Sequence, residues 1–81
     1  MIVIEKKTKK IGDQILERAK SYFGPDGTGL VVTIEKTDFI GFDGSGGYVH
    51  VKYLKQDDGY AKVEVEEREY KYQAKEYKKK L

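Results

Sequence analysis

The chain has 81 residues, no cysteine and one histidine, and its 16 basic and 14 acidic side chains leave a net charge of +2. This length allows one domain with a thin core, and the lack of cysteine excludes disulfide staples and thiolate metal sites. The nearly balanced charge is unlike the concentrated basic surface of a dedicated nucleic-acid binder. Asparagine is absent and Lys and Glu dominate, as is typical of proteins from thermophiles. We expect a single cytoplasmic domain over residues 1–81.

The N-terminal segment begins with four apolar residues and then becomes charged. An apolar run of this length is too short for a signal peptide or a membrane span, so we expect no membrane association. Residues 2–6 predict a short strand that would add a fifth, N-terminal edge strand to a sheet.

A first helix is predicted by apolar residues that recur at helical spacing, with Thr8 as a candidate N-cap. Gly24 and Pro25 follow the last apolar position and predict the end of the helix. The apolar stripe consists of Ile11, Ile15, Ala19 and Phe23.

From residue 30 the apolar period changes from helical to alternating, which predicts four short strands over residues 30–66. Turn residues separate the strands, so they are expected to form an antiparallel meander. Alternation requires residues on the same face to pair. The predicted hairpins pair Ile34 with Ile40, Phe42 with Val49, and Tyr53 with Ala61.

A second helix is predicted from about Glu67 to Lys80, because Tyr70, Ala74, Tyr77 and Leu81 form one stripe. The whole chain then predicts an α+β two-layer sandwich of order β-α-β-β-β-β-α, with both helices on one face of the sheet. This order is similar to that of a shortened helix-grip fold, in which a curved sheet and a C-terminal helix enclose a ligand. The resemblance lies in the order of elements alone.

No motif predicts a catalytic, metal or cofactor site. The glycine-rich segment 41–47 is followed by a strand rather than a helix, so it favours a tight hairpin over a phosphate-binding loop. The loop aspartates lack the alternate spacing of a calcium loop and are explained by turn preference. The lysines at positions 6, 7, 9 and 10 have no aromatic residue interleaved with them and are expected to be solvated.

His50 is the residue that an enzyme would need as a general base, but no nucleophile or orienting group is predicted beside it. On the predicted pairing it lies across from Gly41 on one side and Glu64 on the other. We interpret it as a structural cross-strand pair with Glu64, and we expect no enzymatic activity.

The outer face of the predicted sheet, away from the helices, combines aromatic, apolar and basic side chains. Aromatic groups beside lysines favour a binding surface for another protein or a second copy, or for nucleic acid by stacking. Good strand packing alone would also explain these residue types. The predicted binding residues are Phe39, Tyr48, His50, Lys52, Tyr60 and Lys62.

Three functions stay open at this point. The leading one is a non-enzymatic binding module that uses the outer face for a protein partner or a homodimer. The first alternative is a small-ligand carrier with a helix-grip-like pocket, in which inward tyrosines supply polar groups. The second is a weak nucleic-acid-binding domain, which the acidic residues Glu35, Glu64 and Glu66 on the same face argue against.

Overall fold

The computed structural model describes residues 2–10 and 12–81 and shows one antiparallel five-stranded sheet with two helices. The order of elements is the predicted β-α-β-β-β-β-α, and the fifth strand is the N-terminal one. The elements are β1 (Ile2–Thr8), α1 (Gly12–Phe23), β2 (Val31–Lys36), β3 (Phe39–Gly44), β4 (Gly47–Lys55), β5 (Ala61–Arg68) and α2 (Lys71–Lys79).

The strands lie in the order β1-β5-β4-β3-β2, so β1 and β2 form the two edges of the sheet. Helix α1 contacts β3 and β4, whereas α2 contacts β1 and β5. The apolar face of the sheet is therefore shared between the helices, as the two-layer prediction requires. Side chains that alternate along β3, β4 and β5 fill the core, among them Ile40, Phe42, Val49, Val51, Val63 and Val65.

Three aromatic rings join the two layers at the centre of the core. The ring of Phe23 at the end of α1 lies 5.5 Å from that of Phe42 in the sheet and 5.2 Å from that of Tyr77 in α2, measured between centroids. All three residues are fully buried. The buried hydroxyl of Tyr77 donates a hydrogen bond to the carbonyl of Ile15, which ties α2 to α1.

The β3–β4 hairpin has the predicted register, with Phe42 opposite Val49 and Gly44 opposite Gly47. Ser45 and Gly46 form its turn, in which Gly46 has a φ of 85°, a value that side chains disfavour. The glycine-rich segment is thus used for a tight turn between two strands.

The predicted pairing of Ile34 with Ile40 is wrong, because a bulge interrupts β2 between Val32 and Ile34. Beyond the bulge Ile34 lies opposite Gly41, and Thr37 and Asp38 form a two-residue turn between β2 and β3. A bulge adds one residue to one strand and reverses the faces of the residues after it. Ile34 therefore lies on the outer face, where it is 42% exposed.

The predicted pairing of Tyr53 with Ala61 is also wrong: Tyr53 lies opposite Val63, and Ala61 lies opposite Lys55. The shift is two residues, so every side chain keeps its predicted face. Its consequence is that His50 lies opposite Glu66 and not opposite Glu64.

Both helices begin later than predicted. Thr8 is the last residue of β1, and its hydroxyl donates a hydrogen bond to the carbonyl of Leu81 and accepts one from the N–H of Lys10, ahead of the first residue of α1, Gly12. Glu67 belongs to β5, where its buried carboxylate accepts a hydrogen bond from the backbone N–H of Tyr70. Ile11, predicted in the stripe of the first helix, lies outside the described residues. Among the described residues, no helix is long and apolar enough to cross a membrane.

Candidate interaction face

The outer face of the sheet carries the side chains that alternate with the core residues, and neither helix packs on it. Its half nearest to β2 carries apolar side chains together with Lys36 and Asp43. There Val31 is 62% exposed and is separated from Tyr48 by Asp43 in the strand registers, whereas Ile34 stands beside Gly41 in the neighbouring strand. With three ring-bearing residues of β3 and β4 they form what we call the aromatic patch: Val31, Ile34, Phe39, Tyr48 and His50.

The three rings of the aromatic patch cluster around Gly41. The ring of His50 lies 5.3 Å from that of Phe39 and 4.7 Å from that of Tyr48 between centroids. Because Gly41 has no side chain, the rings close over it: a β-carbon there would lie 3.3 Å from the imidazole of His50. The structure thus brings together three of the six predicted binding residues.

Glu66 lies at the polar edge of the aromatic patch, where its carboxylate approaches Tyr48 and His50. The hydroxyl of Tyr48 donates a hydrogen bond of 3.0 Å to Oε2 of Glu66, and Nδ1 of His50 lies 4.0 Å from the same oxygen. The hydrogen bond to the carboxylate favours the protonated phenol and raises the pKa of Tyr48. The Tyr48 ring is therefore held in place before any partner binds.

The rest of the outer face is charged, and both signs are present. In the strand registers, Lys52 lies between Phe39 on one side and Glu64 on the other, and Lys62 pairs with Glu5 at 3.4 Å. The basic side chains of this face are Lys7, Lys36, Lys52, Lys62 and Arg68, and the acidic ones are Glu5, Asp43, Glu64 and Glu66. The face as a whole is thus nearly neutral. Glu35, predicted on this face, lies opposite the core residue Ile40 and pairs with Lys20 of α1.

The structure places the other two predicted binding residues, Tyr60 and Lys62, away from the aromatic patch. Tyr60 precedes β5 at the far end of the sheet, where the ammonium groups of Lys7 and Lys9 lie 5.1 Å and 5.5 Å from its ring centroid. Two of the lysines predicted to be solvated therefore lie beside an aromatic ring, although no aromatic residue is interleaved with them in the sequence. The aromatic partner comes from a segment distant in sequence, which a local pattern does not reveal.

The four tyrosines that the carrier alternative would place around a ligand have separate roles. Tyr77 packs on Phe23, and Tyr22 lies edge-on to the same ring at 5.1 Å. Tyr53 covers Gly12 and donates a hydrogen bond to the carbonyl of Thr37. Tyr70 lies against Gly44. The rings of the core occupy the space between helices and sheet in which a carried ligand would lie.

Neither a metal site nor a catalytic arrangement is evident in the parts of the chain that the structure describes. Within residues 2–10 and 12–81, no group of three or more His, Asp or Glu side chains is placed to hold a metal ion. The side chains around His50 are Phe39, Tyr48, Ile34 and Glu66. This setting is that of a packed cross-strand residue, although its carboxylate is Glu66 rather than the predicted Glu64.

Sequence reasoning missed two members of this site. Ile34 was expected in the core, because its alternation with Val32 gives no sign of the bulge. Glu66 was expected on the outer face but not beside His50, because alternation leaves a two-residue shift undetermined. The chain matches no protein-family model, no curated protein and no solved structure.

Proposed function

We propose that this protein is a non-enzymatic binding module that self-associates through the outer face of its sheet, with the aromatic patch at the centre of the contact. The observation that carries the proposal is the ring cluster of Phe39, Tyr48 and His50, flanked by Val31 and Ile34, on a face that neither helix covers. Exposed apolar clusters rimmed by polar residues mark interaction surfaces.

The charge of the outer face favours a second copy as the partner. A nearly neutral face with both signs meets its own copy without net repulsion, and a two-fold axis can place its basic side chains against acidic ones. Nucleic acid, by contrast, is bound by surfaces with a clear excess of positive charge. Glu5 on the edge strand β1, and Glu64 and Glu66 on the adjacent β5, supply the opposite charge on this face.

The aromatic patch also has the features of an interface centre. Aromatic residues dominate binding energy at such centres because they bury a large area and lose little conformational entropy. The hydrogen bond between Tyr48 and Glu66 already orients one ring. Self-association would therefore bury rings that are ordered in the monomer.

Sedimentation velocity over a range of protein concentrations tests this proposal. We expect the wild-type chain to form a dimer, and Phe39→Ser and Tyr48→Ser to raise its dissociation constant by about thirtyfold or more, as for an interface residue worth about 2 kcal/mol. Tyr72→Ser is the matched control, because Tyr72 is 67% exposed on α2, away from the outer face. It should leave the dimer unchanged.

Two results would contradict self-association through this face. One is a wild-type chain that stays monomeric up to millimolar concentration, which would leave a different protein as the partner of the aromatic patch. The other is a dimer that Tyr72→Ser weakens as much as Phe39→Ser does. Far-UV circular dichroism of each variant separates loss of the dimer from loss of the fold.

A further inference from the structure

A cleft of about 510 Å³ lies at the end of the sheet remote from the aromatic patch, between the start of α1 and the β4–β5 hairpin. Its size is within the range of small-molecule sites in proteins. The described residues that line it include three lysines, two tyrosines and one aspartate: Lys9, Lys10, Lys55, Tyr53, Tyr60 and Asp13.

The three lysines of this cleft have no acidic partner among the described residues. The ion pairs of the structure engage Lys7, Lys20, Lys62 and Lys79, whereas Lys9, Lys10 and Lys55 take part in none. These three come from two segments far apart in sequence, which the fold brings to one cleft. Unpaired ammonium groups that share a cleft raise the local concentration of anions and supply donors for phosphate oxygens.

The tyrosines give the cleft an aromatic surface beside its positive charge. The ammonium groups of Lys7 and Lys9 lie 5.1 Å and 5.5 Å from the centre of the Tyr60 ring, so positive charge adjoins an aromatic surface here. The ring of Tyr53 lies against the backbone at Gly12, where any side chain would overlap it. A ligand that carries an aromatic ring close to its negative charge can contact both features.

Two further polar side chains of the cleft can bind the hydroxyl groups of a sugar. The carboxylate of Asp13 and the amide of Gln56 line the same cleft and can accept hydrogen bonds from hydroxyl groups. A simple phosphate would have no use for these acceptors.

We infer that this cleft binds a mononucleotide, with the phosphate on Lys9, Lys10 and Lys55, the base against Tyr53 and Tyr60, and the ribose beside Asp13. This site is separate from the aromatic patch and does not depend on self-association.

Isothermal titration with AMP, adenosine and inorganic phosphate at low ionic strength tests the assignment. We expect AMP to bind at least about tenfold more tightly than either fragment, because only AMP engages both the lysines and the rings. Raising the salt concentration should weaken AMP binding, since the lysine contacts are exposed to solvent.

Two double variants distinguish AMP binding in this cleft from nonspecific attraction of AMP to basic charge. Lys9→Gln with Lys10→Gln should weaken AMP binding by about tenfold or more, in line with the loss of charged hydrogen bonds. The matched control is Lys78→Gln with Lys79→Gln, which removes the same charge from a second lysine-lined groove between β1 and α2, where no aromatic residue is present among the described lining residues. The control should bind AMP as the wild type does.

Tyr60→Leu tests the aromatic part of the site. It should weaken the binding of AMP by severalfold and leave that of inorganic phosphate unchanged, because stacking is lost and the lysines stay. The inference is overturned if AMP does not bind at millimolar concentration, if AMP and phosphate bind equally, or if the two double variants weaken AMP to the same extent.

Discussion

The hydroxyl of Tyr77 is a single polar atom in the middle of the core, and it makes the stability of this domain sensitive to alkaline pH. Burial disfavours the phenolate and raises the pKa of Tyr77 well above its ordinary value of 10. Because the pKa of Tyr77 is higher in the folded than in the unfolded state, its contribution to stability is fully present below pH 10. That contribution is lost as the pH rises through the folded-state pKa.

Tyr77→Phe should therefore lower the free energy of unfolding by about 1 kcal/mol at neutral pH, because the hydrogen bond to the Ile15 carbonyl is lost. As the pH rises above about 10, the wild type should lose stability that the variant keeps, so the difference should shrink. Urea denaturation of both proteins at neutral and alkaline pH measures this. Parallel loss of stability in the two proteins would contradict the assigned role of the hydroxyl.

Individual core residues were predictable from the sequence wherever alternation or helical spacing continued without interruption. Phe42, Val49, Val51 and Tyr77 are buried as their spacing predicts. Ile34 is the exception, because one extra residue at Thr33 places it on the opposite face of the strand. A hydrogen bond from the hydroxyl of Thr33 to the carbonyl of Gly41 accompanies this bulge. Because threonine is common in strands, its presence at position 33 does not predict a bulge.

At the scale of elements, the β3–β4 hairpin and the start of α2 meet at Gly47. A β-carbon at this position would overlap the backbone carbonyl of Arg68 and lie 2.8 Å from Cβ of Glu69, in the segment that leads from β5 into α2. The missing side chain of Gly47 therefore lets the hairpin and this connection pack together, and backbone atoms cannot move aside as the end of a side chain can.

Gly47→Ala should lower the free energy of unfolding by about 2–3 kcal/mol, toward the upper end of the cost of overpacking. Gly41→Ala is the matched control in the same hairpin, because its closest neighbour is the imidazole of His50, a side chain that can rotate. The control should cost less than about 1 kcal/mol. If urea denaturation showed the same loss of unfolding free energy for both variants, the close approach of backbone atoms to Gly47 would not be the cause of the destabilisation.

The strand registers show which strand pairings the sequence alone can determine. The β3–β4 pairing was predictable, because three glycines and a serine leave one short turn between alternating runs. The β4–β5 loop is longer, and a shift of two residues preserves every face, so alternation could not decide between Glu64 and Glu66 as the partner of His50. The composition of the outer face was thus largely predictable, whereas the contacts within it were not.

At the scale of the whole molecule, the buried core lies on one face of the sheet, the proposed contact surface lies on the other, and the lysine-rich cleft lies at one end. The five lysine–carboxylate ion pairs among the described residues have partly or largely exposed side chains, and pairs of this kind contribute little, so the buried face must supply most of the stability. The aromatic patch lies outside this core, and the lysine-rich cleft borders it, since the core residue Ala61 is part of the lining of the cleft. Substitutions in the aromatic patch or of the cleft lysines should therefore alter binding while the fold is retained.

Phe23 is the residue on which all three parts of the fold meet, since its ring contacts Tyr22 of α1, Phe42 of the sheet and Tyr77 of α2. Phe23→Ala should lower the free energy of unfolding by about 3–5 kcal/mol. A domain of 81 residues has a total of only about 4–12 kcal/mol by the usual value per residue. We therefore expect helices and sheet to lose structure together, in one transition at a much lower urea concentration.

Tyr72→Ala, on the exposed side of α2, should stay within about 0.5 kcal/mol of the wild type. Circular dichroism and tyrosine fluorescence, recorded in the same titration, should give coincident curves. Separate transitions in the Phe23→Ala protein would mean that the sheet holds its structure without the helices, and that the rings of the core do not unite the two layers.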